Sequence, residues 1–149
     1  MRVCELNRPW LDALMRGDRV PTLNAFDERH NVVALRRFAV WLCAIFLAMV
    51  FVFAGVSKLV GPSAMRWAER LMNWGYPANT SYVIGVLEIL AGLGVLIPAW
   101  RRAAAATLVV LMIGALCTHA VHAEFARLIP PLILGGLAFL LYSRDRPRA

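Results

Sequence analysis

Four long apolar segments, at about 38–60, 78–97, 103–121 and 125–142, constrain this 149-residue chain more than anything else in it. Each is near the roughly 20 residues that a helix needs to cross about 30 Å of hydrocarbon. Pro130 and Pro131 fall in the first turns of the fourth, which is also the shortest. At 60% hydrophobic residues and a mean hydropathy of +0.64, the chain is too apolar for an ordinary soluble domain. The expected fold is therefore all-α, a four-transmembrane-helix bundle over 38–142 with both chain ends on the same side.

The charges give that bundle an orientation. The net charge is +7, and 12 of the 16 basic residues are Arg2, Arg8, Arg16, Arg19, Arg29, Arg36, Arg37, Arg101, Arg102, Arg144, Arg146 and Arg148. Only Lys58, Arg66, Arg70 and Arg127 lie on the opposite side, so the positive-inside rule puts both termini in the cytoplasm. A basic excess distributed this way is a topology signal and does not point to nucleic acid. Residues 1–37 are charged and lack both a long apolar core and a small-residue cleavage site, unlike a secretory signal peptide. Trp10, Leu11, Leu14 and Met15 among those charges fit either an amphipathic piece on the cytoplasmic face or an unstructured tail. Residues 143–149 form a second short basic tail. Cys4, Cys43 and Cys117 have no C-x-x-C spacing and no metal-ligand spacing; Cys4 falls in the N-terminal tail, and Cys43 and Cys117, inside the first and third segments, read as small apolar residues.

Between the first two apolar segments, Ala64, Trp67, Ala68, Leu71 and Trp74 recur at helical spacing, with Arg66, Glu69, Arg70 and Asn73 elsewhere on the wheel. That pattern predicts an amphipathic helix lying in the membrane interface. Trp67, Trp74 and Tyr76 suit an aromatic belt at the headgroups, or a lid over a quinone or lipid site. Gly75 and Pro77 end this helix and start the next.

Glu88 stands inside the second apolar segment, on the stripe Ser81, Gly85, Glu88, Gly92, whose 4-3-4 spacing marks one helical face. A carboxylate at that depth costs about 2.5–3.5 kcal/mol on insertion scales, so it is expected to face the bundle interior and to have a partner. The flanking glycines let a neighbouring helix approach closely. Lys58 near the end of the first segment, and Thr118, His119 and His122 near the end of the third, fall in the same outer half, and Gly114 shares their face. Three readings of Lys58, Glu88, Thr118, His119 and His122 are open. In one, Glu88 fixes packing, Lys58 reaches for the headgroups and the histidines sit at the interface. In another, the group is a polar pocket or proton relay at a quinone headgroup, histidine being the side chain that exchanges protons near neutral pH. The third is a metal site from His119, His122 and Glu124 or Glu88, which lacks a third ligand of obvious geometry; no metal is therefore expected.

Taken in order, Gly55-Val-Ser-Lys58-Leu59, Gly75-Tyr-Pro77, Gly85-x-x-Glu88 followed by Gly92, Arg101-Arg-Ala-Ala104 and Thr118-His119 make the chain resemble the DoxX-like family of small four-helix bacterial membrane proteins. The resemblance covers roughly residues 38–142. It implies a place in the cytoplasmic (inner) membrane, and for some relatives an association with a thiosulfate:quinone oxidoreductase or with detoxifying enzymes in redox assemblies. The methylamine-utilisation branch carries cysteines after the third crossing, and this chain has none there, which argues against thiol exchange.

No nucleotide-binding loop, Ser/His/Asp triad or haem-attachment sequence is present. Two functional classes follow. The first, favoured by the absence of any intrinsic redox-cofactor motif, is a non-catalytic membrane anchor or assembly subunit for a redox or detoxifying enzyme system, its basic tail holding anionic lipid or an acidic partner. The other is a quinone-binding subunit of a membrane oxidoreductase, served by an external electron donor. Transport through the intramembrane Glu88 needs oligomerisation to form a path, and no pair of broken helices points to one.

Overall fold

The computed structural model describes residues 15–16 and 23–144. Cys4, the segment around Trp10, Leu11 and Leu14, and the basic tail from residue 145 lie outside the described residues. The elements in chain order are α1 (Leu23–Leu59), α2 (Gly61–Asn73), α3 (Thr80–Gly94), α4 (Arg101–Val121), a short 3-10 turn (Phe125–Arg127) and α5 (Ile129–Arg144). There is no strand among the described residues. The chain divides into two units, to Phe38 and from Ala39; the core and the site described below belong to the second.

Three stretches are long and apolar enough to cross a membrane: Asn31–Leu59, Arg101–Val121 and Phe125–Arg144. The second expected crossing is shorter than the sequence suggests. Its helix runs for the 15 residues Thr80–Gly94 rather than 78–97. At ~1.5 Å per residue that is about 22 Å of helix. Pro98 explains the early stop, because a proline disfavours helical geometry in the residue before it. The chain instead leaves α3 through turns, with the N–H of Leu96 donating to Leu93 O and that of Ile97 to Gly94 O. At the other end, α1 begins well before the expected residue 38. Nothing between Leu23 and Phe38 is Gly or Pro, so no residue there stops a helix.

The core forms where small residues allow it. Ala44, Leu47, Ala48 and Phe51 recur on one face of α1 and pack with Ala91 and Val95, with Ala104, Ala105, Leu108 and Met112 of α4, and with Ala138 and Leu141 of α5. The tightest approach is between α1 and α3. A Cβ on Gly55 would lie 2.5 Å from the carbonyl oxygen of Gly85, and one on Gly85 would lie 2.9 Å from that of Gly55. The same seam continues to Gly92, where a Cβ would meet Phe51 at 3.1 Å. The antiparallel register is thus 55 beside 85 and 51 beside 92.

One arginine of the topology count is not a headgroup residue. Arg101 opens α4 and is 5% exposed. Its Nε donates to Val95 O at 2.8 Å, and its guanidinium lies 4.5 Å from the centre of the Trp41 ring. A cation here meets the carbonyl end of α3, where the helix dipole is negative. Replacing Arg101 by Ala should lower stability by about 2 kcal/mol, the sum of one charge-assisted hydrogen bond and a cation–π contact less the relief of a buried charge. Arg102, which is exposed beside Tyr142, should tolerate Ala with a change below about 0.5 kcal/mol. Melting curves of the two variants in detergent measure the difference; equal shifts would mean that the Arg101 contacts contribute nothing.

A polar cavity beneath α2

The α1–α3 seam positions the first half of the site. Lys58 follows Gly55 by three residues and Glu88 follows Gly85 by three, so the close helix contact brings both side chains to one place. The Ser81 hydroxyl donates to Lys58 O at 3.3 Å and extends the register. In an antiparallel pair this puts Glu88 nearly two turns deeper than Lys58. The Lys58 side chain therefore folds back along α1, as helical side chains tend to. Its Nζ reaches Ala54 O at 3.4 Å and Glu88 Oε2 at 2.6 Å. Both side chains of this ion pair are buried, at 10% and 6% exposure. Lys58 is thus turned into the bundle rather than out to the headgroups. Above it, the Trp67 ring of α2 lies with its centre 4.9 Å from Nζ.

The second half comes from the end of α4. Thr118 Oγ1 donates to Gly114 O at 2.9 Å, which uses its only proton. The 3.0 Å contact between Tyr76 OH and Thr118 Oγ1 is therefore donated by Tyr76. His119 Nδ1 lies 2.9 Å from Glu124 Oε2, so the ring carries its proton on that nitrogen and donates to the carboxylate. Arg127 approaches the same carboxylate at 3.7 Å. Trp74 stacks on His122 with centroids 4.8 Å apart and meets His119 edge-on at 5.7 Å. Gly75, at φ +84°, turns the chain between Trp74 and Tyr76 in a conformation that L side chains rarely adopt.

Lys58, Glu88, Thr118, His119 and His122 all line one cavity of about 500 Å³, covered by Trp67 and Leu71 of α2, by Trp74 just past its end and by Tyr76. Apart from Thr80, the remaining wall is apolar, chiefly Ile84 and Val110–Met112. Among the described residues no three His, Cys, Asp or Glu side chains converge to hold a metal ion; His122 lies flat on Trp74 while His119 turns to Glu124. The arrangement presents hydrogen-bonding groups on two sides of an apolar, aromatic-roofed space, with a charge pair that sums to zero in its wall.

The family model for the DoxX-like family matches residues 42–141. The chain belongs to the DoxX-like family. No curated protein and no solved structure gives a match. The matched span of this DoxX-like protein contains every residue that lines the cavity.

Three contributors carried little sign of their role. Tyr76 reads as an aromatic-belt or lid residue, with nothing to name its partner; its hydroxyl on Thr118 is a contact across 42 residues. Glu124 enters the sequence reading only as a metal ligand and instead holds His119. Cys117 lines the cavity from the exposed side of α4, a position its apolar neighbours in sequence do not disclose.

Proposed function

We propose that this DoxX-like membrane protein binds a quinone headgroup in the cavity beneath α2 and serves as the quinone-binding subunit of a membrane redox assembly. The observation that carries this reading is the cavity itself: a membrane anchor has no need of about 500 Å³ of space lined by seven polar side chains and two indoles. That volume lies in the range of about 300–1,000 Å³ used by small-molecule sites, which are mostly apolar with a few placed polar groups. The internal ion pair cancels its own charge, which favours a neutral head over a phospholipid's. Flat aromatic surfaces from Trp67 and Trp74 suit a planar ring; Thr118 Oγ1 and His119 Nε2, with their protons placed elsewhere, accept from the hydroxyls of the reduced quinol head, and Lys58 Nζ keeps one N–H for a carbonyl oxygen of the oxidised head.

The same reading takes α3, with the turns through Ile97, as a fourth crossing in a bacterial inner membrane, with both termini cytoplasmic by the positive-inside rule. Electrons for quinone reduction come from a partner enzyme's redox cofactor, and the two protons from groups in the cavity wall and the adjoining water.

Titrating the purified protein in lipid nanodiscs with a tail-less, fully substituted benzoquinone tests this. Saturable quenching of tryptophan fluorescence is expected, lost when Trp67 and Trp74 are both Phe. Thr118→Val should weaken binding of the reduced, quinol form about tenfold, the equivalent of one hydrogen bond near 1.4 kcal/mol, because Thr118 Oγ1 accepts from the quinol hydroxyl. Quenching that rises linearly with quinone and quinol alike and ignores all three substitutions would assign the protein to the anchor class instead.

A further inference from the structure

The cavity does not end at its polar groups. On α4, Val110, Gly114, Cys117 and Val121 line it, and their 4-3-4 spacing puts them on one helical face. All four are exposed, Val110 at 67% and Val121 at 80%. The cavity is thus open sideways along a strip of about 17 Å, eleven residues of helix rise. The polar side chains of α4 that line it are confined to Thr118, His119 and His122; from Val110 to Ala115 that wall is apolar. Gly114 sits in the middle, and a Cβ there would meet nothing within 4 Å, so it is a notch in the strip and not a packing contact. Volume points the same way. About 150 Å³ accommodates benzene, so about 500 Å³ holds a substituted ring with space to spare.

We infer that this strip is the groove for the prenyl tail, so that the ligand is a long-chain membrane quinone which enters sideways from the bilayer. The inference rests on the quinone reading of the same cavity. The occupant follows from continuity: the groove leaves the polar end of the cavity and faces the hydrocarbon that a prenyl chain already occupies. A tail held there keeps the ring oriented towards Thr118 and His119. Gly114 then acts on tail recognition and not on the head, since its missing side chain leaves the room through which the chain leaves the cavity.

Gly114→Leu separates the two. Leucine is the better helix former, and the notch has room for its Cβ, so the variant folds. The probes are one tail-less and one decaprenyl quinone of the same ring, each measured as the ratio of variant to wild-type affinity in nanodiscs so that partitioning cancels. The tailed ligand should lose about tenfold, as small-to-large clashes in packed sites typically produce. The tail-less one should change by less than about twofold, within the normal scatter of a surface substitution. Equal ratios for the two ligands, whether both unchanged or both reduced, would overturn the groove while leaving the headgroup site standing. A changed oligomeric state with both affinities unaltered would give the strip to a second copy of this chain and also overturn it. Failure of either quinone to bind wild-type protein would remove the headgroup reading and the groove with it.

Discussion

Lys58→Ala should destabilise the bundle by about 3–5 kcal/mol, the usual result of removing one partner from a buried ion pair. The cost arises because Glu88 then stands about two turns inside α3, with Gly85 and Gly92 on its own face and the cation that held its carboxylate gone. Glu88→Ala should cost less, about 1–3 kcal/mol. Lys58 is on the last turn of α1, and its four-carbon stem can swing towards the end of the helix once the carboxylate is gone. Replacing both, Lys58→Met with Glu88→Leu, should recover most of the stability, since well-packed apolar residues often match a buried pair. Unfolding in mixed micelles, followed by far-UV circular dichroism, measures all three. A double variant no better than Lys58→Ala would mean that the two residues act independently, against the 2.6 Å contact. The rescued variant has a further use. Its fold is intact, so loss of quinone binding in it separates a ligand role for the pair from a packing role.

Gly55→Leu should leave no folded protein, and Gly55→Ala should cost about 3 kcal/mol, the upper end for overpacking. The added Cβ would lie 2.5 Å from Gly85 O and 2.7 Å from Ile89 Cγ1, and a helix backbone cannot yield as a flexible side chain does. Forcing α1 from α3 also parts Lys58 from Glu88, so the site is lost with the seam. Gly136→Ala provides the contrast. A Cβ there meets nothing within 4 Å, and the position is inside α5. That change should raise stability by up to about 1 kcal/mol through helix propensity. Thermal melts of the two alanine variants should move in opposite directions. A shift of the same sign and size in both would mean that helix propensity, and not the seam, governs these glycines.

The parts of the molecule that were legible in the sequence are those written as periodic patterns. The apolar segments, the amphipathic helix ending at Gly75 and the stripe Ser81–Gly85–Glu88–Gly92 are local signals, and all four stripe residues are buried. Lys58 and the Thr118–His122 turn were legible because polar residues in apolar runs must gather. Other features depend on contacts that no local pattern records. The length of α1 follows from a missing stop signal, which hydropathy does not register. The early end of α3 hangs on Pro98, outside the apolar count. Arg101 is counted like any loop arginine until its Nε is seen on Val95 O, and the direction of Lys58 depends on the antiparallel register with α3. The Tyr76 bond to Thr118 joins a turn to the end of α4, 42 residues later.

A ligand in the cavity beneath α2 is the claim on which the rest depends. Quantitative mass spectrometry of lipophilic molecules that co-purify with the tagged protein from native membranes in mild detergent, run beside the Lys58→Met/Glu88→Leu variant, addresses it. About one long-chain quinone per folded wild-type chain, absent from the equally folded variant, is the predicted outcome. A stoichiometric enzyme partner retained by both proteins, with quinone at the level of the bulk membrane extract, would contradict it and make this DoxX-like protein an anchor.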